Sequence, residues 1–347
     1  MSTRFFLRAL PIFAIAFAST NARAWDHPGH AIVNRLALAS LPKDFPAFVN
    51  EPANVERIAF LSGEPDRWSH SPDLPLKHVN WMDHYIDIEQ IPEAGLDFAT
   101  LPSFRYDFAI EFAAGRAAHP QNFPPIDPAK NTDHTRQWPG FLPWTIVEMY
   151  GQLKAAFASL KAYEELGTPD EIANARADVV DLMGIIGHYV GDGAQPLHTT
   201  VQHAGWIGSN PNGYTTWTGF HSWIDSGAIA KAGIKTADIA GRVEPAQAIP
   251  LAARTDGRDP VFVAALDFIL AQNKFVEPLY QLEKAGKLGN GDQPVSDEAR
   301  ALIEGQLLKG GEMLGAIWLT AWRGVTPDLY LRNVLTKRHA AAAPSVK

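Results

Sequence analysis

Cysteine is absent from all 347 residues. That excludes a disulfide scaffold and any thiolate metal site, so a bound metal would have to use His, Asp, Glu or backbone atoms. Long apolar runs are also lacking. The run Ala9–Ala18 is half the roughly 20 residues a membrane-spanning helix needs. Positive charge is short, with 30 Lys and Arg against 38 Asp and Glu. A net charge of −8 is the wrong sign for attracting a polyanion through side chains alone. Segments alternating with period 2 are scarce, and no internal repeat or low-complexity linker is visible.

What is present begins at the N-terminus. Arg4 and Arg8 precede the apolar run, and Ala22-Arg23-Ala24 has the small-x-small shape of a signal-peptidase site. Residues 1–24 therefore read as a signal peptide, and the mature chain as a secreted or periplasmic protein without a transmembrane segment. Removing these residues, with their three arginines and no acid, takes the net charge from −8 to −11. Cleavage after Ala24 leaves Trp25 with a free α-amine five residues before His30. An amine beside its own carbonyl can chelate a metal, and His30 is placed to complete the clamp.

The rest reads as all-α, a single mainly helical domain over 25–347. Pro28 followed by Ile32, Val33, Leu36 and Ala37 predicts an amphipathic helix ending before Pro42. Residues 64–81 read as a long loop, and 81–89 is where short strands have room. Helices are predicted over Phe104–Ala118, Trp144–Leu166, Glu171–Asp192, His221–Lys231, Pro260–Lys284 and Asp297–Trp322. The last begins with a Ser296 cap and acids in its first turn. Residues 120–139 and the aromatic, glycine-rich 203–219 read as irregular. The Ala-rich tail from about 335 to 347 reads as disordered.

One constellation carries chemistry. His188 and Asp192 stand at i, i+4, which puts an imidazole and a carboxylate on one helix face within reach of one ion. His198 follows Gln195-Pro196, and the proline ends regular helix so that His198 can turn back toward the same cavity. His221 and Asp225 repeat the i, i+4 pair. Gly184, Gly187 and Gly191 lie inside the first of these helices at about 1 kcal/mol each in helix propensity. Their presence points to close approach of another helix or of bound ions on that face.

The segment His188-Tyr-Val-Gly-Asp192-Gly-Ala-Gln-Pro-Leu-His198 resembles the central motif of the S1/P1 nucleases and the related bacterial zinc phospholipases C. The resemblance extends to Trp25, His30, His84-Tyr-Ile-Asp87 and Phe220-His221 with Asp225. It implies an all-α secreted phosphodiesterase of the phospholipase C/P1 nuclease type, with three Zn2+ ions. Asp66, His84, His188 and Asp192 would hold one zinc, and His198, His221 and Asp225 a second. The amine and carbonyl of Trp25, with His30 and a bridging Asp192, would hold a third.

Asp66 and Asp192 are the catalytic carboxylates on this resemblance, with Asp73 and Asp83 competing with Asp66. A zinc-bound hydroxide is the implied nucleophile. Tyr85 and Asp87 match a substrate site in which a ring stacks on a base and an acid bonds its edge. The implied substrates are single-stranded DNA or RNA and 3′-nucleotides, handled by a monomer. A phospholipid headgroup is the alternative substrate, and a non-catalytic secreted metal-binding protein the alternative of another class. Position 69 is Ser where nucleases of the family commonly carry Arg, and Arg67 and Arg136 have no assigned role. His27, His70, His78, His119, His134 and His203 read as surface or loop residues.

Overall fold

The computed structural model describes residues 25–342, so the proposed signal peptide lies outside the described residues. These residues form fifteen α-helical segments with short 3-10 turns between them and no β-strand. In order, the helices are α1 His27–Ser40, α2 Pro52–Leu61, α3 Glu64–Ser69, α4 Leu74–Trp81, α5 Gln90–Glu93, α6 Arg105–Ala118, α7 Leu142–Leu166 and α8 Pro169–Ala194. They continue as α9 Phe220–Ser222, α10 Ile229–Ala232, α11 Thr236–Ile239, α12 Pro260–Asn273, α13 Val276–Lys284, α14 Asp297–Arg323 and α15 Leu329–Ala342. No helix among the described residues is long and apolar enough to cross a membrane.

The long helices start where side chains can satisfy their first N–H groups. Thr168 and Glu171 form a reciprocal capping box at the head of α8. Asp259 accepts from the backbone N–H groups of Val261 and Phe262, and Ser296 from that of Ala299.

α1 is the centre of the packing. It lies against α2, α8 and α14, and ten of its fourteen residues are buried. Glycines make this possible. A Cβ at Gly191 of α8 would sit 2.6 Å from Nδ1 of His30, and one at Gly187 would overlap the Asn34 carboxamide oxygen. On the other side, a Cβ at Gly311 of α14 would sit 2.5 Å from Cβ of Leu36. The Asn34 amide donates to the carbonyls of Ile58 (2.8 Å) and Gly184 (3.1 Å), tying α1 to α2 and α8. One contiguous apolar cluster runs from these helices through Trp144, which stacks on Phe108 at 3.9 Å between ring centroids, to Phe262 and Trp318.

Several elements differ from the sequence reading. Residues 64–81 are not a loop but carry α3 and α4, because Pro65 and Pro75 occupy first-turn positions where a missing N–H costs nothing. The 81–89 stretch has no strand. Met82–His84 is a 3-10 turn and the following backbone is extended, hydrogen-bonded to segment 139–142 on one side and 198–199 on the other. The predicted helix 260–284 breaks at Lys274–Phe275, since Pro278 would clash with the Lys274 carbonyl in a continuous helix. The predicted helix 221–231 contains a π-helical stretch, Trp223–Ala228. α2 has no counterpart in the sequence reading, and α15 covers much of the tail expected to be disordered. Residues 343–347 lie outside the described residues.

Replacing Gly187 with Ala should destabilise the protein by about 1–3 kcal/mol by overpacking, despite the better helix propensity of Ala. Urea unfolding measures it, and an unchanged midpoint would contradict the close α1–α8 approach.

Candidate metal centre

Six separate segments deliver the sequence-predicted residues to one buried region. His30 comes from α1, Asp66 from α3 and His84 from the 3-10 turn after α4. His188 and Asp192 come from the last two turns of α8, and His198 from the 3-10 turn Pro196–Thr199. His221 lies on α9 and Asp225 in the π-helical stretch. All except Asp66 are buried, and Asp66 is nearly so.

Three groups of ligand atoms result, each with its atoms within 4.8 Å of one another. The first is Asp66, His84 and His188, the second His198, His221 and Asp225, the third His30, His188 and Asp192. In the first, Asp66 Oδ1 is 3.9 Å from His84 Nδ1 and 3.7 Å from His188 Nε2. In the second, His221 Nε2 is 3.3 Å from Asp225 Oδ2. Donor atoms about 2.0–2.2 Å from a tetrahedral ion stand about 3.4 Å apart, so these separations suit a small cation between them.

Asp192 links the groups. Its Oδ2 is 3.1 Å from His84 Nδ1 and 3.3 Å from His188 Nε2, and its Oδ1 is 3.5 Å from His30 Nε2. Nδ1 of His188 donates to the Ser62 carbonyl at 2.6 Å, which leaves the Nε2 lone pair as its only donor and commits that atom to one ion. The third group then keeps His30 and Asp192 as its side chains. The Trp25 indole is buried, and the N–H of Asp26 donates to the Asp225 carbonyl at 3.1 Å.

Electrostatics sharpen the picture. Burial pushes the five histidines down, His188 to about 3 and His198 to about 4, so their rings are neutral. Burial pushes Asp192 and Asp225 well above the usual carboxylate range, and the nearby Asp66 adds to both. Both oxygens of Asp192, both nitrogens of His30 and of His221, Nε2 of His198 and Oδ2 of Asp225 are buried without a hydrogen-bond partner. Protein interiors rarely leave such groups unpaired. Apart from the contact between His84 Nδ1 and His188 Nε2 at 2.9 Å, whose proton a cation would displace, these lone pairs and carboxylates converge without a donor, and the residues fit a divalent cation.

Asp83 and Asp73 do not compete with Asp66. Asp83 binds Arg105 at 2.6 Å, and Asp73 is exposed ahead of α4. Tyr85 and Asp87 lie on the extended segment after His84. The Asp87 carboxyl accepts from Gln90 at 2.9 Å and is pushed up to about 8 by burial, with Glu89 adding. His203 lies against His221, 6.0 Å between ring centroids, and belongs to none of the three groups. The sequence reading missed the supporting amides. Asn80, four residues before His84, places its amide 3.1 Å from His84 Nε2. Gln195, three residues after Asp192, donates to Asp225.

No family model, curated protein or solved structure matches the chain. The chemistry of the site itself therefore carries the functional conclusion.

Asp192→Asn separates the two states of this centre. Because burial raises the pKa of Asp192 on folding, the group costs stability at any pH above the ordinary carboxylate pKa, and that cost is lost only as pH falls back to that ordinary value. At pH 7 with chelator, the Asn variant should melt at least ~2 °C above the parent, since its amide donates to lone pairs the carboxylate opposes. With divalent metal present the order should reverse. Melting curves in both conditions check this, and the same order in both would contradict a metal centre.

Proposed function

We propose that the protein is a zinc-dependent phosphodiesterase of the phospholipase C/P1 nuclease type, exported and cut after Ala24, that hydrolyses single-stranded nucleic acids and 3′-nucleotides. The observation that supports this is the carboxylate of Asp192, buried without a hydrogen bond, with Oδ2 facing His84 and His188 and Oδ1 facing His30. Five His and three Asp with no sulfur suit zinc better than harder or softer ions. Closely spaced zinc ions supply Lewis-acid stabilisation of phosphate oxygens and an acidified water.

The chain's own residues do the rest. Asp66, His84 and His188 hold one ion, and His198, His221 and Asp225 a second. His30 and Asp192, with the amine and carbonyl of Trp25, hold a third. No side chain need act as nucleophile. Tyr85 and Asp87 receive the base beside the reacting phosphate. At neutral pH Asp87, with its pKa pushed up to about 8, is mostly protonated, so it both donates to and accepts from a base edge.

The deciding assay compares release of 5′-nucleotides from single-stranded DNA and RNA with hydrolysis of phosphatidylcholine, with zinc and after chelation. Nucleotide release that chelator abolishes supports the proposal. Phosphatidylcholine hydrolysis alone makes the protein a phospholipase C. Metal binding with neither activity leaves a non-catalytic zinc protein.

The N-terminus gives an independent test. An extra residue before Trp25 turns its amine into a planar amide nitrogen without a free lone pair. The exported, processed chain should bind about three zinc ions, and the same chain with an uncleaved Gly-Ser extension about two, with far lower turnover. Metal analysis of the two forms measures it, and equal zinc content and turnover would remove Trp25 from the site.

A further inference from the structure

Gln195 is fully buried at the junction of three parts of the site. Its backbone N–H donates to the Asp192 carbonyl (3.0 Å) and its carbonyl accepts from the His198 N–H (3.0 Å), so it joins the end of α8 to the His198 turn. Its side chain is satisfied at both ends. Oε1 accepts from the Leu197 N–H at 2.6 Å, which fixes the amide orientation. Nε2 then donates to Oδ1 of Asp225, also at 2.6 Å. The other oxygen of Asp225, Oδ2, has no hydrogen-bond partner and faces His221 Nε2 at 3.3 Å.

We propose that Gln195 is a positioning residue that restricts Asp225 to one donor oxygen and so keeps the ion of the His198–His221–Asp225 group open to substrate. This rests on the metal reading of the site. A carboxylate with both oxygens free can chelate an ion with both. With Oδ1 held by Gln195, the group offers three protein atoms, Nε2 of His198, one nitrogen of His221 and Oδ2 of Asp225. His198 is limited to Nε2 because its Nδ1 donates to the His84 carbonyl at 2.7 Å. Three protein ligands with an open position distinguish a catalytic zinc from the closed four-ligand structural kind. Outer hydrogen bonds of this sort commonly change metal affinity about 10–100-fold when lost.

The reciprocal exchange Gln195→Glu with Asp225→Asn conserves the hydrogen bonds and the total charge. In the double variant the carboxylate introduced by Gln195→Glu would accept from the Leu197 N–H and from the amide introduced by Asp225→Asn. The oxygen of that amide would then turn toward the ion. The experiment titrates zinc into the processed chain against a chromophoric chelator, for the parent, Gln195→Met, each single variant of the exchange and the double variant. Melting temperatures in chelator identify any variant that has not folded.

Gln195→Met should change the affinity for one zinc by about 10–100-fold, because Oδ1 of Asp225 is released, whereas Gln195→Glu should weaken it by a similar factor, and the double variant should bind it more tightly than Gln195→Glu or Asp225→Asn alone. Parent-like affinity in Gln195→Met overturns the inference, as does a double variant no better than its singles. Should Gln195→Met fail to fold, the exchange decides alone. A parent that binds no zinc overturns the metal reading itself, which a parent that binds zinc while Gln195 proves silent does not.

Discussion

The structure turns on a buried carboxylate that the protein alone does not satisfy. Asp192 sits in the last turn of α8 with neither oxygen hydrogen-bonded, among buried neutral imidazoles, of which His188 turns a lone pair inward. The end of a helix adds partial negative charge from its unpaired carbonyls. A carboxylate there is unfavourable unless a cation joins it. Burial that would be a defect in an inert core thus becomes a binding force, because the low dielectric that penalises the lone carboxylate also strengthens its attraction for an ion.

The fold is arranged around that constraint. His30 reaches Asp192 only because α1 lies unusually close to α8, and α1 lies that close only because the facing positions of α8 are glycines. Stability and site therefore share the same contacts. The remaining ligands are oriented by backbone carbonyls: Ser62 fixes the tautomer of His188, and the His84 carbonyl fixes that of His198. A carbonyl cannot titrate or rotate away, so each ring keeps Nε2 aimed inward. The π-helical stretch serves the other wall. It carries Asp225, whose carbonyl accepts the N–H of Asp26 and draws the chain next to Trp25 against the ligand group.

Much of this was legible in the sequence, for identifiable reasons. Helical spacing is local, so the pairs His188/Asp192 and His221/Asp225 could be read directly, and the three glycines of α8 announced a close neighbour. Asp66 was harder, since 18 residues separate it from His84. It reaches the site because α3 and α4 fold the chain back, and the prolines that start those helices look like breakers in the sequence. Pro278 misled in the opposite sense, hidden inside an otherwise continuous apolar pattern. Gln195 and Asn80 carry no spacing signature. A buried amide is marked only by its partners, which come from segments distant in sequence, and those partners emerge with the fold.

Charge separates what the centre does from what its rim selects. With a net charge of −8, the chain repels a polyanion at long range, yet salt screens that repulsion beyond about 8–10 Å. Inside that distance the local balance governs, and there the histidines are neutral and bound cations would outnumber the charge of the carboxylates. On the proposed function, such a centre would attract any phosphodiester, whether it joins nucleosides or carries a lipid headgroup. Discrimination must then come from groups that do not bind the ions. On the same proposal these would include Tyr85 and Asp87, held in place by backbone bonds to segment 139–142. The aromatic 203–219 segment is a second candidate, where Trp206 packs on Tyr214 and Tyr280 while Trp217 stays partly exposed. A protonated Asp87 beside a ring is matched to a planar base with donors and acceptors on its edge. A quaternary ammonium headgroup has no such edge and is better served by aromatic faces or an ionised acid. On the proposed function, an Asp87 kept protonated by burial would therefore favour a nucleotide over a choline headgroup.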